Sequence, residues 1–230
     1  RPPSRREWVA GWAASALLWS RPLRAFAQTT PLPDPADWPI FRGDAALRGV
    51  SGSSLPESLR LVWSFEAESE PTSPVVARGR VIFATRDGDL ISLDLVTGKP
   101  VWRTRVEAGF EGAPTCTADR VLIGDLQGAV HALDFADGKK VWSHQTPEEA
   151  EIKASVAVAS GSAIVGSYDG TLRALSLSDG TPRWTHQSDA QIHATCAIRN
   201  GLAYVAGCDG HLRGLDVATG KVGADIRFGG

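Results

Sequence analysis

The sequence of 230 residues contains no methionine, even at position 1, and no excess of basic over acidic residues. The missing methionine predicts that the natural chain starts before Arg1. The 24 Lys and Arg against 26 Asp and Glu give a net charge of −2, which argues against a nucleic-acid-binding surface. The 43% hydrophobic and 22% charged residues that are present suit a packed globular domain and exclude a disordered or collagen-like chain.

Residues 1–27 have the three parts of an export signal, namely a basic start, a short apolar run and a small-x-small exit. The apolar run, residues 8–19, has 12 residues, whereas a helix that spans a bilayer needs about 20. We therefore expect cleavage between Ala27 and Gln28 and a mature chain outside the cytoplasm, with no transmembrane segment. An amphipathic surface helix is the alternative, but this run is apolar on every side.

Residues 4–9 (SRREWV) resemble the twin-arginine export motif, in which Ser-Arg-Arg precedes one variable residue and two apolar ones. The resemblance implies export by that route into the periplasm or another extracytoplasmic space. Loss of the signal removes five Arg and one Glu, which leaves 19 basic and 25 acidic residues and a charge of −6. The mature part is thus an even poorer candidate for binding nucleic acid.

A repeat of about forty residues dominates the rest of the sequence. Two series of glycines recur in four units at intervals of 40, 42 and 40 residues. The first series is Gly98, Gly138, Gly180 and Gly220, and the second is Gly88, Gly128, Gly170 and Gly210. Each unit contains four short β-rich runs separated by turn residues, which predicts an all-β propeller built of four-stranded antiparallel blades. A β-sandwich is the rival fold, but it gives no reason for a fixed period.

Tryptophan, glycine and aspartate recur at fixed places in this repeat and indicate a scaffold rather than chemistry. The tryptophans, which we expect to pack between neighbouring blades, are Trp63, Trp102, Trp142 and Trp184. The aspartates Asp94, Asp134 and Asp216 precede the first-series glycines, and we expect them to accept hydrogen bonds from the turn backbone.

Residues 92–102, 132–142 and 174–184 resemble the tryptophan-docking motif, Ala-x-Asp-x-x-Thr-Gly-x-x-x-Trp, of the pyrroloquinoline-quinone-like (quinoprotein-type) β-propeller repeat family. Residues 214–224 keep the glycine of the motif but end in Ala224 instead of tryptophan. The resemblance implies a lead-in segment over residues 28–60 and a partial propeller over 61–230. It implies a closing strand at 61–67 and blades at about 73–106, 113–146, 154–188 and 194–230. Family rings have about six to eight blades, so we expect further blades beyond Gly230.

Quinone-dependent dehydrogenases of this family carry adjacent cysteines and oxygen ligands for calcium beside the cofactor. Cys116, Cys196 and Cys208 are not adjacent to one another, and no Cys-x-x-Cys-His haem motif is present. Buried free thiols are the expected state of all three cysteines. We therefore expect no cofactor, with pyrroloquinoline quinone and calcium as the alternative.

Acidic side chains recur in the segments that lead into the innermost strands, and a propeller would gather them around the mouth of its channel. The candidate rim residues are Glu70, Glu111, Glu151, Asp189 and His193. One interpretation is that they are solvated loop residues. The other is an acidic rim that binds a cation, a basic partner or a sugar.

These observations predict an exported, non-catalytic propeller that presents a rigid face to a protein partner or a small ligand in the cell envelope. Two alternatives remain. One is a fragment of a quinone-dependent dehydrogenase that oxidises alcohols or sugars. The other is a sensor or ligand-binding domain of a larger envelope protein.

Overall fold

The computed structural model of the protein describes residues 37–228. The predicted export signal, its cleavage site at Ala27 and Gln28, and the first part of the lead-in segment lie outside the described residues. Within residues 37–228, sixteen strands are present and no helix.

The strands form four sheets, each of four strands in chain order and antiparallel throughout. We call the sheets blades 1 to 4. Blade 1 contains β1 (Val75–Ala77), β2 (Arg80–Ala84), β3 (Asp89–Asp94) and β4 (Pro100–Arg105). Blade 2 contains β5 (Thr115–Cys116), β6 (Arg120–Gly124), β7 (Ala129–Asp134) and β8 (Lys140–Gln145).

Blade 3 contains β9 (Ala157–Ala159), β10 (Ser162–Gly166), β11 (Thr171–Ser176) and β12 (Pro182–Gln187). Blade 4 contains β13 (Ala197–Arg199), β14 (Leu202–Ala206), β15 (His211–Asp216) and β16 (Val222–Arg227). The prediction of four-stranded antiparallel blades is confirmed.

The hydrophobic core lies between consecutive blades rather than within one sheet. One cluster joins Val75 and Ile82 of blade 1 to Val121 and Leu133 of blade 2, and similar clusters join blade 2 to blade 3 and blade 3 to blade 4. The middle strand β10 is buried along its whole length, as expected for a strand covered on both faces. The outer strands are the exposed ones.

The tryptophans of the repeat connect each blade to the next. The indole nitrogens of Trp102, Trp142 and Trp184 donate to main-chain oxygens of the following blade at 3.1, 3.1 and 2.9 Å. Their acceptors are Phe135, Leu177 and Val217. Each ring also covers the first-series glycine of that blade, which is Gly138, Gly180 or Gly220.

Trp63 makes the same contact ahead of blade 1, with its indole nitrogen 2.9 Å from the Leu95 oxygen and its ring over Gly98. Residues 61–67 therefore occupy the position of an outer strand next to blade 1. They form no strand with any residue from 37 to 228.

The aspartates of the repeat close the turn between the third and fourth strands. Asp94 accepts hydrogen bonds from the amide and the hydroxyl of Thr97 at 2.8 and 2.7 Å, and Asp216 does the same with Thr219. These bonds lower the pKa of both carboxyl groups. Asp134 accepts from the Ala136 amide at 2.7 Å. These hydrogen bonds stabilise the turns that contain the first-series glycines, against which the tryptophan rings pack.

Residues 37–48 of the lead-in segment run along the inner edges of three blades. Trp38 pairs with Val76 of blade 1, the Pro39 oxygen accepts from the Cys116 amide of blade 2, and the Ala45 oxygen accepts from the Ile198 amide of blade 4. These bonds satisfy backbone groups of the innermost strands, whose inner edges would otherwise be open. No helix in the described part of the chain is long and apolar enough to cross a bilayer.

Replacing Gly180 by alanine should lower the free energy of unfolding by at least about 1 kcal/mol, because Gly180 has a φ of +74°. An added Cβ would also meet the Trp142 ring at 2.6 Å. Urea unfolding followed by circular dichroism measures the loss. Gly79→Ala is the control, because Gly79 has the same φ of +74° but no atom within 4 Å of the added Cβ. Equal losses for the two variants would show that contact with the ring contributes nothing.

Candidate functional site

Each blade repeats one backbone contact at the end where its second strand turns into its third. The residue two positions before the second-series glycine donates its amide to the segment leading into the innermost strand. The pairs are Arg86 with Glu70, Leu126 with Gly109, Tyr168 with Glu151 and Cys208 with Gln191, at 3.0, 3.0, 3.0 and 3.1 Å. Equivalent side chains of the four blades therefore share one face. We call the following set on that face the rim: Glu70, Arg86, Glu111, Glu151, Lys153, Tyr168, His193 and Cys208.

The rim carries two cations between its three glutamates. Arg86 lies between Glu70 and Glu111, with a guanidinium nitrogen 3.8 Å from a carboxylate oxygen of each. The Lys153 ammonium lies 3.0 Å from Glu151 and 4.0 Å from Glu111. Its hydrogen bond to Glu151 is the main cause of a raised Lys153 pKa. The rim is therefore a surface of mixed charge, with all three glutamates within ion-pairing distance of a cation.

An aromatic and sulfur-bearing stretch continues the rim from blade 3 to blade 4. The Lys153 ammonium lies 4.5 Å from the centre of the Tyr168 ring, and that ring lies 5.8 Å from the His193 ring. The His193 Nε2 atom is 3.2 Å from the Cys208 sulfur. Asp189 lies in the exposed loop between the two blades, where its amide donates to Asp209.

Four rim residues were absent from the sequence prediction, namely Arg86, Lys153, Tyr168 and Cys208. The phase of the repeat contained a signal for three of them, since they stand two residues before Gly88, Gly170 and Gly210. The prediction that every cysteine is buried is wrong for Cys208, which is exposed, and is confirmed for Cys116 and Cys196. Cys208 follows the end of β14 and lies on the rim, where no further strand covers it among residues 37–228.

Buried charged groups support the turns beneath the rim. Each blade has one buried carboxylate with an arginine or histidine partner: Asp89 with Arg103, Asp125 with His131, Asp169 with Arg173, and Asp209 with Arg213. Burial would raise the pKa of Asp169, but hydrogen bonds from Arg173 and Ser167 outweigh it and lower this pKa to about 2. These pairs hold the second-to-third-strand turns, and therefore the rim, in one conformation.

A cavity of about 440 Å³ opens between the outer strand of blade 1 and the sheet of blade 2. Arg105, Glu107, His131 and Lys140 line it. His131 is 9% exposed, and its Nε2 atom lies 2.7 Å from Asp125. Asp125 also lines this cavity, so the cavity borders the buried pair of blade 2.

Four-stranded blades joined by docked tryptophans define a β-propeller of the pyrroloquinoline-quinone-like class. A family model described as outer membrane protein assembly factor BamB matches residues 50–155 and 148–223. Those residues are more than half of the chain, and the chain therefore belongs to this family. The resemblance predicted from the docking motifs is confirmed. A search of curated proteins gave no match.

Solved structures share the fold at low identity. BamB from Moraxella catarrhalis is 24% identical with a TM-score of 0.64, and the match covers 78% of this chain and 58% of that one. The quinohemoprotein alcohol dehydrogenase from Comamonas testosteroni is 19% identical with a TM-score of 0.74, covering 83% of this chain and 41% of that one. A second quinohemoprotein alcohol dehydrogenase, from Pseudomonas putida HK5, is 14% identical with a TM-score of 0.75, covering 84% and 40%. The chain thus spans about half the length of these proteins.

Proposed function

We propose that the protein is a non-catalytic scaffold of the cell envelope that binds a protein partner through the rim. The observation that carries the proposal is the partly exposed cluster of mixed charge formed by Glu111, Glu151 and Lys153 on one face of the blades. Its charges alternate in sign over a short distance, which suits a partner surface with a complementary pattern and a fixed register. The family to which the chain belongs is described as an outer membrane protein assembly factor, which supports a protein as the partner.

The buried ion pairs beneath the rim make it a rigid surface for partner recognition. The rim side chains stand on turns held by ion pairs such as Asp169–Arg173, whose side chains are only 9% and 8% exposed. A rigid surface loses little conformational entropy on binding, so its exposed charges contribute more to association. Export to the periplasm, as the sequence predicts, belongs to the same proposal.

Site-specific photo-cross-linking tests this proposal in envelopes of cells that produce the full chain. A photoreactive residue in place of Glu111 should give a discrete cross-linked protein. The control replaces Asp137, an exposed residue of a third-to-fourth-strand turn at the opposite end of the blades. Charge reversal by Glu111→Lys and Glu151→Lys should lower binding of the identified partner at least about tenfold, because like charges face each other. Identical products from positions 111 and 137, or unchanged binding by the reversed variant, would contradict the proposal.

A second candidate is the blade region of a quinone-dependent dehydrogenase, favoured by TM-scores of 0.74 and 0.75 to two quinohemoprotein alcohol dehydrogenases. The rim residues fit that role poorly. The Lys153 ammonium lies between Glu111 and Glu151, and its charge would repel a calcium ion at these carboxylates. We therefore propose binding without a cofactor. Dye-linked oxidation of alcohols or sugars after addition of pyrroloquinoline quinone and calcium would instead support the dehydrogenase.

A further inference from the structure

Cys208 and His193 form a thiol–imidazole pair on the rim of blade 4. Cys208 is exposed, and its sulfur lies 3.2 Å from the Nε2 atom of His193. A nucleophile within hydrogen-bonding distance of a base is the arrangement that activates thiols in proteins. The repeated backbone contact of blade 4, from the Cys208 amide to the Gln191 oxygen at 3.1 Å, brings the two side chains together.

A third side chain orients the base. The ring of Tyr168, from blade 3, packs against the His193 ring at 5.8 Å with an angle of 50° between the planes. The Lys153 ammonium covers the Tyr168 ring at 4.5 Å and is itself tied to Glu151 at 3.0 Å. The His193 imidazole therefore packs against Tyr168, which Lys153 covers, while its Nε2 atom lies beside the Cys208 sulfur.

The other two cysteines lack this arrangement. Cys116 and Cys196 are buried, and burial raises the pKa of each thiol to about 12. The thiolate is the reactive form of cysteine, so we expect these two buried thiols not to react in the folded protein at neutral pH. Cys208 is thus an accessible thiol beside a base, and the buried Cys116 and Cys196 serve as internal controls for its reactivity.

We propose that Cys208 is a thiol–disulfide exchange site that takes up low-molecular-weight disulfides, with His193 as its base. The thiol proton passes to Nε2 of His193, and the Cys208 sulfur attacks one sulfur of the disulfide. The new sulfur–sulfur bond forms as the old one breaks. The leaving thiolate takes the proton from His193, so the products are one mixed disulfide on Cys208 and one free thiol. This chemistry does not depend on the proposed partner, although the adduct would stand on the same rim.

Reaction of the full chain with 5,5′-dithiobis(2-nitrobenzoate), a small aromatic disulfide, tests the proposal. We expect rapid addition of one equivalent to the native protein, mapped to Cys208 by peptide mass spectrometry, and of three equivalents in urea. Cys208→Ser should abolish the native reaction. Native modification at Cys116 or Cys196, or no reaction at Cys208, would overturn the proposal.

The His193→Gln variant tests whether His193 acts as the base for Cys208 or only lies next to it. The variant should react with the probe about tenfold more slowly at pH 7, because its thiol ionises without a base. The difference should shrink as the pH is raised, because hydroxide then removes the thiol proton without help from His193. His144→Gln, a histidine of β8 outside the rim, is the matched control and should react at the wild-type rate. A His193→Gln rate equal to wild type at pH 7, in a variant with wild-type circular dichroism, would rule out His193 as the base.

Discussion

Truncating Trp142 to alanine should lower the free energy of unfolding by about 3–5 kcal/mol, as expected for a buried tryptophan. The side chain is 7% exposed and belongs to the cluster that joins blade 2 to blade 3. Its ring covers Gly180, which has no Cβ to fill the resulting space, and its indole nitrogen donates to the Leu177 oxygen at 3.1 Å. The variant therefore loses apolar burial and leaves a main-chain acceptor without its donor. Urea unfolding followed by circular dichroism measures the change.

Two further variants identify the source of this loss. Val141→Ala changes the neighbouring residue, which is 42% exposed, and should cost less than about 0.5 kcal/mol. Trp142→Phe keeps most of the burial but removes the indole donor, so it should fall between the other two variants. A cost below about 1 kcal/mol for Trp142→Ala would mean that the docked ring does not hold blades 2 and 3 together.

The repeat made the organisation within each blade predictable. Asp94 precedes Gly98 by four residues, as Asp134 precedes Gly138, so a turn inferred for one unit held for the next. Strand bounds followed, because each run lies between turn residues in every unit. Periodicity also placed Trp102 between blades, since a large apolar side chain on an exposed outer strand needs a neighbour to cover it.

The composition of the rim was less predictable because it depends on contacts between blades. The sequence indicated that Glu111 and Glu151 would share a face, but it did not show that Lys153 would lie between them. The position of Lys153 between the two glutamates depends on the angle between neighbouring sheets, which the sequence of a single repeat unit does not determine. Cys208 was assigned to the interior for a similar reason, since its residue type favours burial while its position lies beyond the end of β14.

Breaking the buried pair of Asp169 and Arg173 should have an effect as large as truncating Trp142. Arg173→Met should lower the free energy of unfolding by about 3–5 kcal/mol, because it leaves a buried carboxylate without its cation. The Asp169 side chain is 9% exposed, and it also accepts the Thr171 amide at 2.9 Å. Asp169→Leu combined with Arg173→Met should cost less than Arg173→Met alone, since no unpaired charge remains. Urea unfolding of the three proteins completes the comparison.

The same pair makes stability depend on pH in a direction fixed by the pKa of Asp169. That pKa is about 2 in the folded protein, below the value of about 3.9 expected for an unfolded chain. The folded state therefore binds fewer protons in this range, and the stabilisation from Asp169 is present above about pH 4 and is lost as the pH falls toward about 2. About 1 kcal/mol of it should be lost between pH 6 and about pH 3.

Asp169→Asn isolates this contribution, because asparagine does not titrate. The difference in unfolding free energy between the wild type and Asp169→Asn should shrink by about 1 kcal/mol when the pH is lowered from 6 to about 3. Asp87→Asn is the matched control, since Asp87 holds the equivalent turn position in blade 1 but is exposed, and the residue four positions later is Ile91 instead of an arginine. Its effect should stay below about 0.5 kcal/mol at both pH values. A difference for Asp169→Asn that does not change with pH would mean that this carboxyl titrates alike in the folded and unfolded chain, and that Arg173 contributes packing rather than charge.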